Sequence, residues 1–224
     1  GSAGAYAQPA FTGIGALPGE VDPNSAATAI SADGSVIVGH ATGGGVNRAV
    51  RWTWGGGMES LGDLPGGPFP SFALGISPDG GTIVGSSISA SGREGFRWTS
   101  AEGMVALGDL PGDPLRSYAN DTTNGATRIV GVGDYEFDPS LTGSAIVWDG
   151  AAAPAALAGV TGDYSEATAV TADGAVIAGY VSTTGGAAHL RRFAGRRRWA
   201  RSCSAASPAS LRTAMPWDRT RTAR

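Results

Sequence analysis

The sequence predicts an all-β protein: a partial β-propeller of about three and a half four-stranded antiparallel blades, with a disordered or irregular C-terminal tail. Three observations carry that prediction. A Leu-Pro-Gly element starts at Leu17, Leu64 and Leu110, with a worn copy, Leu-Ala-Gly, at Leu157, so a unit recurs every 46 or 47 residues. Tryptophans end a strand at Trp52, Trp98 and Trp148, and Asp-Gly pairs begin at Asp33, Asp79 and Asp173, with Asn124-Gly125 standing in for one more. No segment holds helical periodicity over a useful length. A fixed period in this range marks an array whose units bury their apolar faces on one another.

The unit from Ser71 to Gly112 shows the strands most clearly. Ser71 to Ser77 alternates small, apolar and polar residues and runs into Pro78-Asp79-Gly80, which is turn chemistry. Thr82-Ile83-Val84 is a β-branched run, expected to stop at Gly85. Phe96 to Thr99 alternates Phe and Trp against Arg and Thr, which places two aromatics on one face. Met104 to Leu107 returns after a short Gly-containing loop, as a hairpin partner does. Four strands in a unit of this length describe one propeller blade, with the Ser71 class of strand innermost. Blade one spans about Asn24 to Gly66, blade two Ser71 to Gly112, and blade three Ser117 to about Gly159. Blade four opens at Ser165, and its aromatic strand is expected to be missing, because the chain turns arginine-rich from Arg191.

Phe-Arg-Trp-Thr from Phe96, Gly-Met-x-x-Leu-Gly from Gly103, Leu-Pro-Gly, Ile-Ser-x-Asp-Gly from Ile76 and Ile-Val-Gly from Ile83 resemble the HAF repeats of probable extracellular bacterial proteins. The similarity covers roughly residues 11 to 180, and the layout also resembles a kelch blade. The resemblance implies a propeller-like fold and a secreted or surface-displayed bacterial protein. It implies no catalytic residues.

Composition bounds the rest. Gly and Pro, 37 and 13 of 224 residues, punctuate the strands at regular places, which argues against a low-complexity segment. Lysine is absent, and ten of the 16 arginines lie at or after Arg191. Residues 1–190 therefore hold 6 arginines against 18 acids, a net charge of −12. Such a region repels nucleic acid and anionic membrane surfaces. No stretch approaches the ~20 apolar residues of a transmembrane segment.

Residues 1–10 are expected to be a signal-peptide remnant or linker, because Ala5-Tyr6-Ala7 fits a small-x-small cleavage end. Ile14 to Gly19 aligns with Leu61 to Gly66, the end of a unit rather than its start. It is expected to be a strand that fastens the ring, the alternative being a cut inside a preceding blade. Residues 11–190 form the repeat region. So few blades suggest an open arc or a strained ring, with self-association through unpaired edges at residues 11–16 and in blade four.

Each candidate site residue has a structural competitor. One tryptophan per blade at a fixed place is expected to be core, so Trp52, Trp98 and Trp148 should be buried between blades. Asp33, Asp79 and Asp173 each precede Gly in a turn, where Asp bonds its own backbone. Arg51 and Arg97 should project opposite the aromatics and pair with acids between blades. Gly43-Gly44-Gly45 opens no helix and lacks the Lys-Ser/Thr of a phosphate cradle. The non-repeating loop Asp134-Tyr135-Glu136-Phe137-Asp138 offers Asp134, Glu136 and Asp138 as weak calcium candidates, against a solvated acidic loop. His40, His189 and Cys203 form no zinc or nucleophile–base pattern.

The expected function is a non-enzymatic propeller scaffold for a protein or glycan, with no cofactor. The alternative is a fragment of a propeller enzyme, of glycosidase or lyase type, with carboxylates gathered at the channel mouth. Residues 191–224 form an aberrant arginine-rich tail, expected to be a frameshift product. With CGN arginine codons, regrouping each codon's last base with the next two permits Ala-Phe-Arg-Trp-Thr across Arg191 to Arg196. The same frame permits Leu-Leu-Gly-Gly-Leu-Pro-Gly across Ser202 to Ala209, then Ala-x-Gly from Met215 and Asp-Gly near Arg221. Sequencing the gene checks this. The alternative frame should carry these motifs in order, and an uninterrupted gene whose other frame lacks them would end the idea.

Overall fold

The computed structural model describes residues 13–19, 24–67, 70–111, 115–136, 142–158, 160, 164–182 and 189–194. Blade one is an antiparallel sheet of β1 (Asn24–Ile30), β2 (Val36–Gly43), β3 (Val46–Thr53) and β4 (Gly57–Ser60), in that order. Blade two repeats it with β5 (Ser71–Ile76), β6 (Ile83–Ser89), β7 (Gly92–Thr99) and β8 (Gly103–Ala106), and β9 (Leu115–Arg116) adds parallel to β7. Blade three is β10 (Tyr118–Thr122), β11 (Ile129–Glu136), β12 (Thr142–Trp148) and β13 (Ala155–Ala156). Blade four is β14 (Tyr164–Val170), β15 (Val176–Ser182) and β16 (His189–Ala194), joined to blade three by one parallel pair, Gly143 with Tyr164. The one helical piece among the described residues is a 3-10 turn, Asn124–Ala126.

Two expectations are corrected. Gly85 does not stop its strand, since β6 continues to Ser89. The third strand of blade four is present, and pairing passes residue 190 to reach Ala194. Ladder bonds come from the backbone, so an arginine-rich strand supplies them too. The register sets Arg191 opposite Gly179, where Phe96 faces Gly85 and Ile146 faces Gly131. An arginine thus occupies a position that is fully buried in blades two and three. The tail beyond Ala194 lies outside the described residues.

The glycines have another purpose. In every blade the first strand slips register by one residue, between Ala27 and Ala29, Ala73 and Gly75, Ala119 and Asp121, and Ala167 and Ala169. The carbonyl before each bulge presses on the second strand. A Cβ at Gly39, Gly85 or Gly131 would stand 1.9 Å from the oxygen of Ala26, Phe72 or Tyr118, and one at Gly179 would stand 2.0 Å from that of Glu166. Only glycine leaves room there.

The bulged residue then turns to the next blade. Thr28 Oγ1 donates to the Ala73 carbonyl at 2.8 Å, and Asn120 Nδ2 donates to that of Ala167 at 2.9 Å. First strands of successive blades contact one another, which makes them innermost, as the sequence implied.

A second device recurs where each first strand begins. Ser71 Oγ, fully buried, accepts the Ala49 N–H at 3.0 Å and donates to the Gly62 carbonyl at 3.2 Å. Ser117 does the same with Gly95 and Gly108, and Ser165 accepts from Ala145 at 2.9 Å. Ser25 Oγ donates to Gly15 at 3.1 Å, so the segment 13–19 lies against blade one as blade one's own end lies against blade two.

The cores lie between blades. Val38, Ala49, Leu61 and Leu64 of blade one pack with Ala73, Ile76, Ile83 and Phe96 of blade two. Val84 packs with Ile129, Ile146 and Trp148 of blade three, and Val130 with Ile177 and Val181 of blade four. Leu17 joins Ala41, Val50 and Met58. Each unit is thus completed by its neighbour.

Gly85→Ala tests the bulge contact. The clash is with backbone, so Gly85→Ala should lower the stability measured by urea unfolding by about 2 kcal/mol or more, at the upper range of overpacking. Gly44→Ala, at an open hairpin tip with φ of 61°, should cost only about 1–2 kcal/mol of left-handed strain. Equal losses would remove the bulge from its central place.

Candidate functional site

The arc has two unlike ends. At one lie the turns between first and second strands, and they are built alike. Asp33 Oδ1 accepts from Ser31 Oγ at 2.7 Å and from the N–H and hydroxyl of Ser35 at 3.0 and 2.8 Å. Asp79 accepts from Ser77 Oγ and Gly81 N, and Asp173 from Thr171 Oγ1 and Ala175 N, at 2.5 and 3.0 Å in each case. The same hydroxyls accept the N–H of Val36, Thr82 and Val176. These hydrogen bonds stabilise the charged carboxylates, foremost the one from the Ser or Thr hydroxyl. Asp33 is lowered to about 2, and Asp79 and Asp173 are lowered as well.

Blade three departs from this pattern. Asn124 holds no Asp-type turn of its own; its Oδ1 accepts the Asp79 N–H of blade two at 3.1 Å. Arg128 pairs with both oxygens of Asp149, at 2.6 and 2.8 Å, and donates to the Gly174 carbonyl of blade four at 2.7 Å. Ala32 N donates to Pro78 O at 2.9 Å between blades one and two. Blade-to-blade bonds therefore run along this whole end.

The tryptophans are core to different degrees. Trp148 is buried and donates its indole N–H to Gly108 O at 3.2 Å. Trp52 and Trp98 are only partly buried, which corrects the expectation of three buried rings. Trp52 meets the short segment 13–19 with Ile14 and Leu17, and Trp54 edge-on at 4.8 Å. Trp98 packs on the core of blades one and two, and the Arg51 guanidinium lies 4.7 Å from its ring centre.

Arg51 and Arg97 pair with Glu59 and Glu102 of their own blades, not between blades. The hairpin register sets Glu59 directly opposite Arg51, so the local acid is nearest.

The calcium candidates do not form a loop from Asp134, because β11 runs through Glu136; Asp138 lies outside the described residues. Among the described residues no three His, Cys, Asp or Glu are grouped to hold a metal. His40 stands edge-on to Phe72 at 5.1 Å. Cys203 lies outside the described residues.

At the other end, where the β2–β3 class of hairpin lies, the inner strands carry residues that do not repeat. Ala26, Phe72, Tyr118 and Glu166 occupy one equivalent position, directly after the serine in each blade. Glu166 accepts from the hydroxyls of Tyr164 and Tyr180, both at 2.5 Å, and from Asn120 Nδ2 at 2.8 Å. Burial and then this carboxylate push the Tyr164 phenol far up. Nearer the turn end, Asp121 accepts the N–H of Val170 and of Thr122, at 2.8 and 2.9 Å, while burial raises its carboxyl. Arg93 lies between the rings of Phe72 and Tyr118, 5.9 and 5.6 Å from their centres. None of these residues was singled out from the sequence. For Phe72, Tyr118 and Glu166 the signal was variation at one fixed position of an otherwise faithful unit.

No family model matches the chain, and no curated protein matches it. Solved structures do. A TolB from Acinetobacter baumannii matches with TM-score 0.55 and 14% identity, over 76% of this chain and 41% of that one. A putative TolB from Agrobacterium tumefaciens matches with TM-score 0.51 and 19% identity, over 76% of this chain and 57% of that one. The chain thus spans about half the length of the structures it matches. At these identities the likeness bears on fold, and the fold is that of a β-propeller.

The turn carboxylates set an acid limit. A lowered carboxyl contributes stability above its unfolded value of about 3.9, lost as pH falls toward the folded value. Melting temperature should therefore fall between about pH 4 and pH 2, and Asp33→Asn should flatten that fall. An unchanged pH profile in Asp33→Asn would remove the turn from the account.

Proposed function

We propose that the chain is part of a secreted or surface-displayed bacterial β-propeller of HAF-repeat type, a scaffold that binds a protein or glycan without catalysis. One observation carries this reading: among the described residues, the turn aspartates and the inner-strand acids Asp121 and Glu166 are engaged in holding the fold. Asp33, Asp79 and Asp173 close turns, Asp121 takes two backbone N–H groups, and Glu166 takes two phenols and an amide. A glycosidase or lyase centre needs carboxylates positioned on a reacting group instead.

The competing reading, a fragment of a propeller enzyme, draws on Glu166 as a non-repeating acid of the inner strands. Arrays of glycans and of bacterial surface proteins, probed with the purified chain, separate the two. A saturable partner that is recovered chemically unchanged is the expected result. Turnover of any bound oligosaccharide, abolished in Glu166→Gln, would overturn the scaffold reading.

A further inference from the structure

We propose that the hairpin end between blades two and three is a binding site for an acidic saccharide, with Arg93 taking the carboxylate of a uronate residue. The proposal rests on the scaffold reading and names a ligand class for it. Three arginines of the repeat region already have a carboxylate: Arg51 has Glu59, Arg97 has Glu102 and Arg128 has Asp149. Arg93 has none among the described residues, although residues 1–190 hold 18 acids. Its one side-chain hydrogen bond among the described residues is long, 3.4 Å from Nη1 to Ser86 Oγ. The planar fork that pairs best with a carboxylate is thus held with most of its donors unspent.

The surroundings fix that fork in place. Phe72 and Tyr118, from successive inner strands, flank the guanidinium, and His40 of blade one stands edge-on to Phe72. All four side chains are partly exposed. The backbone beneath is pinned as well, since Arg93 pairs with Arg116 across β7 and β9, and its carbonyl accepts the Ser117 N–H at 3.0 Å.

Arg93 is also not a repeat residue. Its counterpart in blade one is Asn47, whose side chain accepts from Thr42 Oγ1 at 2.9 Å, and in blade three it is Gly143. The fold does not need an arginine here.

A uronate fits both features. Its carboxylate matches the fork, and the C–H face of its ring suits the partly exposed aromatic rings of Phe72 and Tyr118 beside it, as sites that combine apolar walls with few polar anchors do. An acidic peptide would use the guanidinium but leave the row of rings without a planar partner. Repulsion from the acidic chain is screened beyond about 8 Å at physiological salt, while the contact pair lies inside that range.

The test is calorimetric titration of the intact chain with oligogalacturonate, the neutral galactose oligomer and a poly-glutamate peptide. Oligogalacturonate should bind, the neutral oligomer should bind about tenfold more weakly or not at all, and Arg93→Gln should lose about tenfold or more of the acidic affinity. Arg93→Lys should recover only part, and Arg97→Gln, on an arginine already paired, should change nothing. Thermal melts confirm folding; if Arg93→Gln is unfolded, Arg93→Lys and Tyr118→Leu carry the comparison. Equal affinity for acidic and neutral oligomers, or stronger binding of poly-glutamate, would overturn the proposal. A different array partner indifferent to Arg93 would leave the scaffold standing and remove this site, whereas turnover of the oligomer would remove the scaffold reading itself.

Discussion

The arc depends on the contact between a bulged inner strand and a glycine. A regular first strand would keep its carbonyls in the ladder and its flank flat. The extra residue at Thr28, Leu74, Asn120 and Thr168 breaks that ladder and adds local twist. Two things follow from one distortion. The carbonyl before the bulge is pushed into the space where a Cβ would stand on the second strand, which requires Gly39, Gly85, Gly131 and Gly179. The bulged side chain is freed to reach the next blade, as Thr28 and Asn120 do. Inner strands then come so close that a Cβ at Gly75 would stand 2.3 Å from the Asn120 carbonyl. The distortion that brings neighbouring inner strands together is thus built within each blade.

Much of this was legible in the sequence, and the limits have physical reasons. The blade count, the strand order and the turn aspartates follow from spacing, because turns and alternating strands are local in the chain. The serine opening each first strand was visible as a repeat, yet its bonds to Gly62 and Gly108 join residues that only blade packing brings together. Gly85 was misjudged for a related reason. A glycine after a β-branched run signals a strand end locally, and only the partner strand's bulge explains its presence mid-strand. β16 is invisible to side-chain pattern, because its ladder bonds are made by the backbone.

Blade three shows what the repeat can lose without losing the arc. Its turn has no aspartate, and the chain passes through a 3-10 turn with Ala126 at φ 52°. Thr123 Oγ1 still closes the turn by accepting the Arg128 N–H at 2.9 Å, while Asn124 and Arg128 bond outward to Asp79 and Gly174. Only the aspartate's local hydrogen bonds are lost, and bonds between blades stand beside the turn. The paired Asp149 is partly exposed, so the ion pair itself contributes at most about 1 kcal/mol. The bond to a backbone carbonyl is the more directional part, since it fixes the distance between two turns.

The two ends of the arc are therefore under different constraints. At the turn end Asp33, Asp79, Asp173, Asn124 and Arg128 are each answered, within a blade or across to its neighbour. At the hairpin end the same inner position holds alanine, phenylalanine, tyrosine and glutamate in four successive blades, on backbone that hardly changes. A position where the fold tolerates such different side chains is one where packing does not dictate the residue. Chemistry can then vary without cost to the array, as the ring of Phe72 and the satisfied carboxylate of Glu166 show at one equivalent position two blades apart. Repetition supplies the rigid frame, and departures from it at one end supply whatever selectivity the propeller has.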